Sequence, residues 1–337
     1  MKNKGIIGSI IALAIVLIGV FAYQMGTRQT TASSTDDKKI KTVGILQYVS
    51  HSSLDQIKKG VIAGLKEEGY TEGDNLKIEF LNGQGDQSKL NSMSQQLLDK
   101  KSDVLVGIAT PAAKALANAT TDTPIIMGAI SDPVGSGLVK DLKNPGGNVT
   151  GVNNLTPVAQ QIDMAKELFP NAKTMGIVYS SSEENSKSQV ETAEQNAKTV
   201  GYAVKKFAIS SSNDLSAVTQ QACQESDFLY IPQDNTIASA FQTLISESDK
   251  AKTPVFVSVD NMVKEGGIAT VGQNQYKLGV ETGKMAADVL DGKAKPADTP
   301  VNVIDYGDMI INEEKAKELG ITIPDSIKEK AEVVKGE

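Results

Sequence analysis

One unit recurs along most of this chain: a short apolar strand, a polar strand end and then a helix. Residues 104–108, for example, are wholly apolar and lead directly into Thr110 and Pro111, which are preferred residues for the start of a helix. A strand without polar residues on either face is typical of a parallel sheet covered by helices. Regular alternation of strands and helices implies parallel sheets with right-handed crossovers, so we expect an α/β fold.

The number of these units indicates two lobes. Two rounds of four or five units follow one another, and 337 residues are enough for two domains. We predict two doubly wound parallel-sheet lobes joined by a hinge. Because further strands remain after the second round is complete, each lobe should combine an early and a late segment of the chain. The predicted lobes are 42–154 plus 276–303 and 155–275 plus 304–330.

The N-terminus has the pattern of an export signal. Lys2 and Lys4 precede an uncharged apolar run over residues 5–22, whose length lies between a long signal-peptide core and a membrane-spanning helix. We interpret residues 1–23 as a signal or membrane anchor and the polar residues 24–41 as a flexible linker. Positive charge before the apolar run places the rest of the chain outside the cytoplasm. We therefore expect the protein at the cell surface, anchored by this segment or secreted.

The composition argues against several classes of function. A net charge of −7 argues against a nucleic-acid partner. Cys223 and His51 are the only residues of their kinds, so a disulfide within the chain and a Cys/His metal cluster are impossible. The sequence has no P-loop, no nucleophile elbow and no dinucleotide fingerprint. We expect a protein that is not an enzyme and that holds no metal or cofactor, with His51 packed or capping a helix rather than catalytic.

Polar residues stand where several predicted strands end. In open α/β sheets ligands bind beyond the carboxyl ends of the strands, and a cleft between two lobes is a natural site for a small molecule. Two of these strand ends also have the spacing of capping boxes, Ser180 with Glu183 and Ser53 with Gln56. The polar strand ends are His51, Thr110, Ser131 with Asp132, the stretch 179–186, Asp234 with Asn235, and behind them Asp260 and Asn274.

These strand ends suit the two charged groups of a free α-amino acid. Thr110 stands at a Pro-started helix whose backbone N–H groups suit a carboxylate. Asp234 and Asp260 suit an ammonium group. Alternatives remain open, because Asp234 or Asn235 can simply cap a helix and Asp260 can simply form a turn. The aromatic residues available to stack on a ligand are few: Tyr48, Tyr179, Tyr230 and Tyr276.

Six short motifs, in this order, resemble the ABC transporter substrate-binding proteins of the type I periplasmic-binding fold, and more narrowly the tryptophan/tyrosine-transport-like family. The resemblance covers about residues 42–325. The motifs are Ala109-Thr110-Pro111-Ala112-Ala113, Ser131-Asp132-Pro133-Val134, Gly146-Gly147-Asn148-Val149-Thr150-Gly151, Tyr179 through Ser186, Pro232-Gln233-Asp234-Asn235-Thr236, and Gly279 after Tyr276.

The resemblance implies a hinged two-lobe protein that captures an amino acid, here tryptophan, phenylalanine or tyrosine, and hands it to an ABC permease with its ATPase. Many such proteins are lipoproteins, whereas here no cysteine follows the apolar run. Lipid anchoring is therefore excluded, and an uncleaved helix or free secretion must replace it. The residues implied to line the cleft, together with Tyr179 of the same motifs, are Thr110, Ser131, Glu183, Asn185, Ser186, Asp234, Asn235 and Asp260.

Two other classes of function stay open from the sequence. A ligand-sensing ectodomain would need a signalling partner, since only about four residues precede the apolar run. A secreted hydrolase would have to use His51, the single histidine. Turnover of a candidate ligand would identify the hydrolase, and co-purification with a permease and an ATPase would separate an importer component from a sensor.

Overall fold

The structure is a computed structural model that describes residues 40–336. The predicted signal or anchor over residues 1–23 lies outside the described residues, as does nearly all of the predicted linker over 24–41. Of the helices that are described, none is both long enough and apolar enough to cross a membrane.

The first sheet has six strands, all paired in parallel, in the order β11-β5-β4-β3-β1-β2. Five of them come from the first part of the chain and one returns from near its end. They are β1 (Lys41–Gln47), β2 (Leu76–Asn82), β3 (Val104–Ile108), β4 (Ile125–Ile130), β5 (Val149–Asn154) and β11 (Asn302–Ile304).

The second sheet has seven strands in the order β13-β12-β10-β9-β8-β6-β7. All neighbours pair in parallel except β10 and β12, which are antiparallel. The strands are β6 (Thr174–Ser180), β7 (Ala203–Ile209), β8 (Phe228–Ile231), β9 (Val255–Val257), β10 (Ala269–Gly272), β12 (Asp308–Asn312) and β13 (Glu332–Val334). The predicted fold class, two lobes built on parallel sheets, is confirmed.

Helices connect the strands and pack on the sheets. Those of the first sheet are α1 (Ser52–Glu67), α2 (Gln87–Asp99), α3 (Thr110–Ala119) and α10 (Gln275–Leu290). Those of the second are α4 (Val158–Leu168), α5 (Glu184–Thr199), α6 (Leu215–Glu225), α7 (Asn235–Ala238), α8 (Phe241–Ala251), α9 (Asp260–Lys264), α11 (Glu313–Glu318) and α12 (Asp325–Lys328), with a 3₁₀ turn over Ser212–Asp214.

Burial patterns explain these elements. All five residues of β3 are buried, as a strand covered on both faces requires. In α1 the residues Leu54, Ile57, Val61 and Leu65 are buried, and their spacing of three or four places one apolar stripe against the sheet. Each sheet has its own hydrophobic core.

The chain passes between the two sheets three times. The passages follow β5, β10 and β11, at about residues 155, 273 and 305. We propose that these three passages form the hinge. The lobe boundaries given above from the sequence stay a prediction.

Helices α1 and α10 cross in direct backbone contact, and glycines make this possible. A Cβ atom on Gly279 would lie 2.1 Å from the carbonyl oxygen of Ile57, and one on Gly60 would lie 2.2 Å from that of Tyr276. No side chain fits at such distances. Because α1 begins just after His51 and α10 begins at Gln275, this crossing fixes both helix starts relative to each other.

Gly279→Ala should therefore destabilise the protein by at least about 2 kcal/mol, since the added methyl group meets rigid backbone. The measurement is the free energy of unfolding by urea. Gly147→Ala is the matched control, because a Cβ there meets nothing within 4 Å and should leave stability nearly unchanged. Equal stability of the two variants would contradict the proposed backbone contact.

Candidate ligand-binding site

A cavity lies between the carboxyl ends of the two sheets. Both lobes contribute to its wall, as expected for a ligand site in this fold class. The lining residues of the first lobe are His51, Ser53, Leu54, Ile57, Ala109, Thr110, Ala129, Ser131 and Asn154. Those of the second are Asn185, Gln233, Asp234, Asn235, Ala238, Val259 and Met262, and Gln275 begins α10 beside them.

Two helix N-termini of the first lobe face this cavity. His51 precedes α1 and Ala109 precedes α3, and neither helix has a side-chain cap. The first N–H groups of a helix have no intrahelical partner, and the helix dipole adds partial positive charge there. Thr110, which is 5% exposed, adds a hydroxyl group at the start of α3. This wall of the cavity is therefore suited to an anionic group.

The backbone at two lining residues has a conformation that alanine rarely adopts. Ala109, which directly follows β3, has φ 74° and ψ 152°, and Ala129 has φ 56° near the end of β4. Each such residue costs on the order of 1–3 kcal/mol and persists only where packing enforces it. Ala112, Ala113 and Ile108 are wholly buried around this turn. Packing thus holds the start of α3 in a fixed orientation toward the cavity.

Part of the cavity wall is apolar. Leu54 and Ile57 come from α1, and Val259 and Met262 come from the start of α9 in the other lobe. No aromatic residue lines the cavity in the described part of the chain. An apolar side chain of a ligand would therefore pack between aliphatic groups.

Five buried polar atoms of lining residues have no hydrogen-bond partner among residues 40–336. Buried polar atoms are nearly always paired, so their convergence on one cavity indicates a ligand that carries both donors and acceptors. The atoms are Nδ1 of His51, Oγ of Ser53, Oδ1 of Asn154, Oδ1 of Asn185 and Nε2 of Gln233.

Asp234 lines the cavity, and its carboxylate also accepts hydrogen bonds from within the second lobe. One oxygen accepts hydrogen bonds from the backbone N of Ser180 at 2.5 Å and from Oγ of Ser186 at 2.7 Å. The other caps α7 by accepting from the backbone N of Ile237 at 2.9 Å. Burial, and then the charge of Glu183, raise the pKa of Asp234 above its ordinary value. Capping thus accounts for part of the role of Asp234, the alternative that the sequence left open.

Glu183 is wholly buried beside Asp234 but does not line the cavity. One of its oxygens accepts from the backbone N and Oγ1 of Thr236 at 2.8 and 2.7 Å. The other accepts from the backbone N and Nδ2 of Asn235 at 3.3 and 2.5 Å. Glu183 therefore holds the start of α7, and with it Asn235, in place.

Both capping boxes expected from the sequence are wrong. Ser180 is the last residue of β6 and donates its backbone N–H to Asp234, while Glu183 itself precedes α5 and turns its carboxylate toward α7. Helix α1 starts at Ser52, two residues earlier than a Ser53 cap requires, and the Ser53 hydroxyl has no partner among the described residues. Ser180 and Glu183 therefore bind other elements of the second lobe, and Ser53 lines the cavity. None of the three caps the helix that follows it.

The structure brings five of the nine expected site residues to the cavity and places four behind it. Thr110, Ser131, Asn185, Asp234 and Asn235 line it. Ser186 binds Asp234 from behind. Tyr179 packs against the core of the second lobe. Asp260 is 7% exposed at the start of α9 and accepts from the backbone N of Asn261 at 2.8 Å.

Sequence reasoning missed several lining residues. The cavity is also lined by Ser53, Asn154, Gln233 and Gln275. Asn154 is the last residue of β5, Gln233 follows the end of β8 by two residues, and the other two lie in the first turn of a helix. His51 was recognised at a strand end but was expected to pack or cap. The available signal was the strand end itself, which placed the right stretches without selecting residues within them.

Contacts across the cleft hold the lobes together in this structure. Nζ of Lys114 lies 2.5 Å from a carboxylate oxygen of Glu184, and Oγ of Ser188 donates to Asp132 at 2.9 Å. Nε2 of Gln87 donates to the carbonyl oxygen of Ser182 at 3.1 Å. Further contacts join His51 to Asn235 and Ser52 to Glu265. The lobes are closed around the cavity.

The fold and the site define the class of protein, a two-lobe binding protein of the periplasmic-binding-protein type. The chain belongs to the family of ABC transporter substrate binding proteins, whose model matches residues 42–335. The suspected family is thereby confirmed.

Individual relatives agree with this. The chain is 39% identical to a tyrosine-binding protein from Clostridioides difficile over 316 residues, 91% of either chain. It is 51% identical to an ABC domain from Streptococcus pneumonia solved in complex with L-Trp, with a TM-score of 0.85 over 87% of this chain and 99% of that one.

A ligand-free, open structure of a Clostridium difficile substrate binding protein with adhesive properties is 36% identical. Its TM-score is 0.67 over 88% of this chain and 100% of that one.

Asp260→Asn should stabilise the protein above about pH 6 and have little effect near pH 4. Burial raises the pKa of Asp260 from 3.8 to about 6, so the folded protein binds this proton more tightly than the unfolded chain. The ionised form then costs up to about 3 kcal/mol at neutral pH, and this cost disappears as the pH falls through this range.

The measurement is urea unfolding of the wild type and the variant at several pH values. Asp227→Asn is the control of opposite sign, because backbone N–H groups of Lys173 and Thr174 lower the pKa of Asp227, and its loss should destabilise the protein at neutral pH. A gain for Asp260→Asn that does not vary with pH would contradict the role of ionisation.

Proposed function

We propose that this protein is an extracytoplasmic substrate-binding protein of an ABC importer that captures a free aromatic L-amino acid between its lobes. The observation that carries the proposal is the cavity itself, where a helix-start wall, unpaired polar atoms and a buried acid surround an apolar space. The L-Trp complex of one relative and the tyrosine-binding name of another support an aromatic ligand.

The carboxylate of the ligand would bind at the start of α3. Thr110 offers its hydroxyl, and the first backbone N–H groups of the helix offer donors without intrahelical partners. The start of α1 with Ser53, whose hydroxyl has no partner, lies on the same wall. Neither helix start has a side-chain cap that would compete for these donors.

The ammonium group would bind on the side of Asp234. Asp234 and Glu183 are two buried carboxylates, and no lysine or histidine forms an ion pair with either within residues 40–336. Their partners donate hydrogen bonds but carry no charge. A desolvated ammonium group needs a negative partner, and the acids gain a counter-charge from it. Neutral acceptors, Oδ1 of Asn154 and Asn185, would complete its coordination.

The side chain of the ligand would lie against aliphatic groups from both lobes. Leu54 and Ile57 of the first lobe and Val259 and Met262 of the second line the same cavity. The expected stacking on a tyrosine has no support here, because the cavity is lined by none of the four candidates, Tyr48, Tyr179, Tyr230 and Tyr276. An aromatic ring gains mainly from burial of its apolar surface in such a wall.

The remaining parts of the function follow from the family and from the N-terminus. We propose that the protein acts without catalysis and delivers its ligand to a permease with its ATPase. The apolar segment over residues 5–22 would export the chain and either anchor it at the cell surface or be removed.

Tryptophan, tyrosine or phenylalanine should raise the thermal stability of the full-length protein in a panel of the twenty amino acids. A ligand at 100 times its dissociation constant adds about 2.7 kcal/mol to the free energy of unfolding. The chain contains no Trp, so bound tryptophan can also be followed by its own fluorescence. If none of the three binds below about a millimolar, the aromatic assignment is wrong.

Asp234→Asn should weaken tryptophan binding by at least about tenfold at about pH 8, because the variant lacks the negative charge that the ammonium group requires. In the wild type the affinity should fall as the pH drops, since the ligand prefers the ionised carboxylate and must displace a proton from an acid with a raised pKa. The variant should lack this pH dependence.

Titration calorimetry at about pH 5 and about pH 8 provides the measurement. Asp260→Asn is the control, because Asp260 is also a buried acid at a helix start but does not line the cavity. Normal affinity and normal pH dependence in a folded Asp234→Asn protein would refute the role of Asp234.

A further inference from the structure

His51 is the single histidine of the chain and bridges the two lobes. It lies at the start of α1, and its Nε2 is 3.4 Å from Oδ1 of Asn235 in the second lobe. Burial lowers the pKa of His51 to about 4, so the imidazole is neutral at pH 7. A neutral imidazole has one N–H donor and one acceptor nitrogen, and the neighbours decide which nitrogen has which role.

Glu183 determines that choice through Asn235. Both oxygens of Glu183 accept hydrogen bonds, so the side chain of Asn235 must turn its amide nitrogen toward Glu183. Its carbonyl oxygen then faces His51, and an oxygen can only accept. Nε2 of His51 is therefore the N–H donor, and Nδ1 carries no proton.

This leaves Nδ1 as a bare acceptor at the cavity. The Nδ1 atom is buried and has no hydrogen-bond partner in the described part of the chain, and His51 lines the cavity. A lone pair there repels a carboxylate and requires a donor from the ligand. Of the donors on the three aromatic amino acids, the ammonium group is the one that all of them share.

We propose that Nδ1 of His51 accepts a hydrogen bond from the α-ammonium group of the ligand, in the tautomer that Glu183 and Asn235 impose. This inference rests on the proposed function for the identity of the ligand, but the tautomer follows from the protein alone. His51 is then a specificity-determining residue, which disfavours carboxylic acids that lack the amino group because its buried acceptor would stay unpaired.

The hydrogen bonds from Glu183 through Asn235 to His51 also couple recognition of the ligand to closure of the lobes. His51 belongs to the first lobe, whereas Asn235 and Glu183 belong to the second. The tautomer is fixed only when the lobes meet, so the acceptor is presented to the ligand only in the closed form. A contact of this kind favours the closed form when the ligand is bound.

Two variants of His51 separate its two nitrogens. The amide of Gln reaches as far from Cβ as Nε2, so His51→Gln can keep the contact with Asn235 while losing the acceptor for the ligand. The shorter amide of Asn reaches only as far as Nδ1, so His51→Asn can keep the acceptor while losing the contact across the cleft. Ser188→Ala, which removes a different contact across the cleft, is the matched control for weakened closure.

The experiment measures the affinities of the full-length protein for L-tryptophan and for indole-3-propionate. The second compound keeps the ring and the carboxylate of tryptophan but lacks the amino group. His51→Gln should lower the affinity for tryptophan at least about tenfold, as expected for a lost hydrogen bond to a charged donor, and change that for indole-3-propionate less than about twofold. His51→Asn and Ser188→Ala should weaken both ligands by a similar factor.

The tautomer is measured directly by nitrogen-15 NMR. Histidine labelling of the untagged protein gives signals from one imidazole only. With saturating tryptophan, Nε2 should carry the proton and Nδ1 should be unprotonated, and Asn235→Ala should abolish this preference.

Several results would overturn the inference. One is a protonated Nδ1 in the tryptophan complex. Another is a His51→Gln protein whose affinities for tryptophan and indole-3-propionate fall by the same factor, and a third is one whose affinities for both stay unchanged. Failure of the proposed function gives a different result, because then the wild type itself binds none of the aromatic amino acids.

Discussion

Two carboxylates buried side by side determine how the second lobe forms its half of the site. Glu183 is wholly buried and Asp234 is 3% exposed. Their hydrogen bonds come from the end of β6, the start of α5 and the start of α7, so together they join the β6–α5 connection to a helix start about fifty residues further along the chain. Burial of two like charges without a basic neighbour is unfavourable unless donors surround them. We expect the charge on these carboxylates to favour a cationic group of a ligand at this wall.

The first lobe provides the opposite potential by means of backbone groups rather than side chains. The starts of α1 and α3 present N–H groups without intrahelical partners, and the backbone at Ala109 turns α3 toward the cavity. The crossing of Gly60 and Gly279 prevents α1 from sliding along α10. A zwitterion placed between a negative wall and a positive wall has one favourable orientation, so the two lobes together determine its direction as well as its charge.

The sequence predicted the fold class because alternation of buried strands and helices is a local pattern. All five residues of β3 are buried, as its composition indicated. The antiparallel pairing of β12 with β10 has no local signal, since it depends on where the chain returns after β11. At the site, strand ends indicated the right region and included Asp234 and Thr110. The hydrogen-bond partner of Glu183 lies more than fifty positions further along the chain. The spacing of residues at one helix start cannot predict such a contact.

The energetics of closure explain why such a site responds to its ligand. The pair of Lys114 and Glu184 lies at the surface of the cleft, and exposed pairs contribute at most about 1 kcal/mol. Closure also takes Nδ1 of His51 and Oδ1 of Asn185 out of water without giving them a protein partner, and each buried unpaired group costs about 1–3 kcal/mol. We therefore expect the weak contacts at the rim to be opposed by this penalty at the centre, so that the closed form has little stability without a ligand. A ligand that supplies partners to these atoms removes the penalty only in the closed form, which is the differential interaction that a two-state hinge requires.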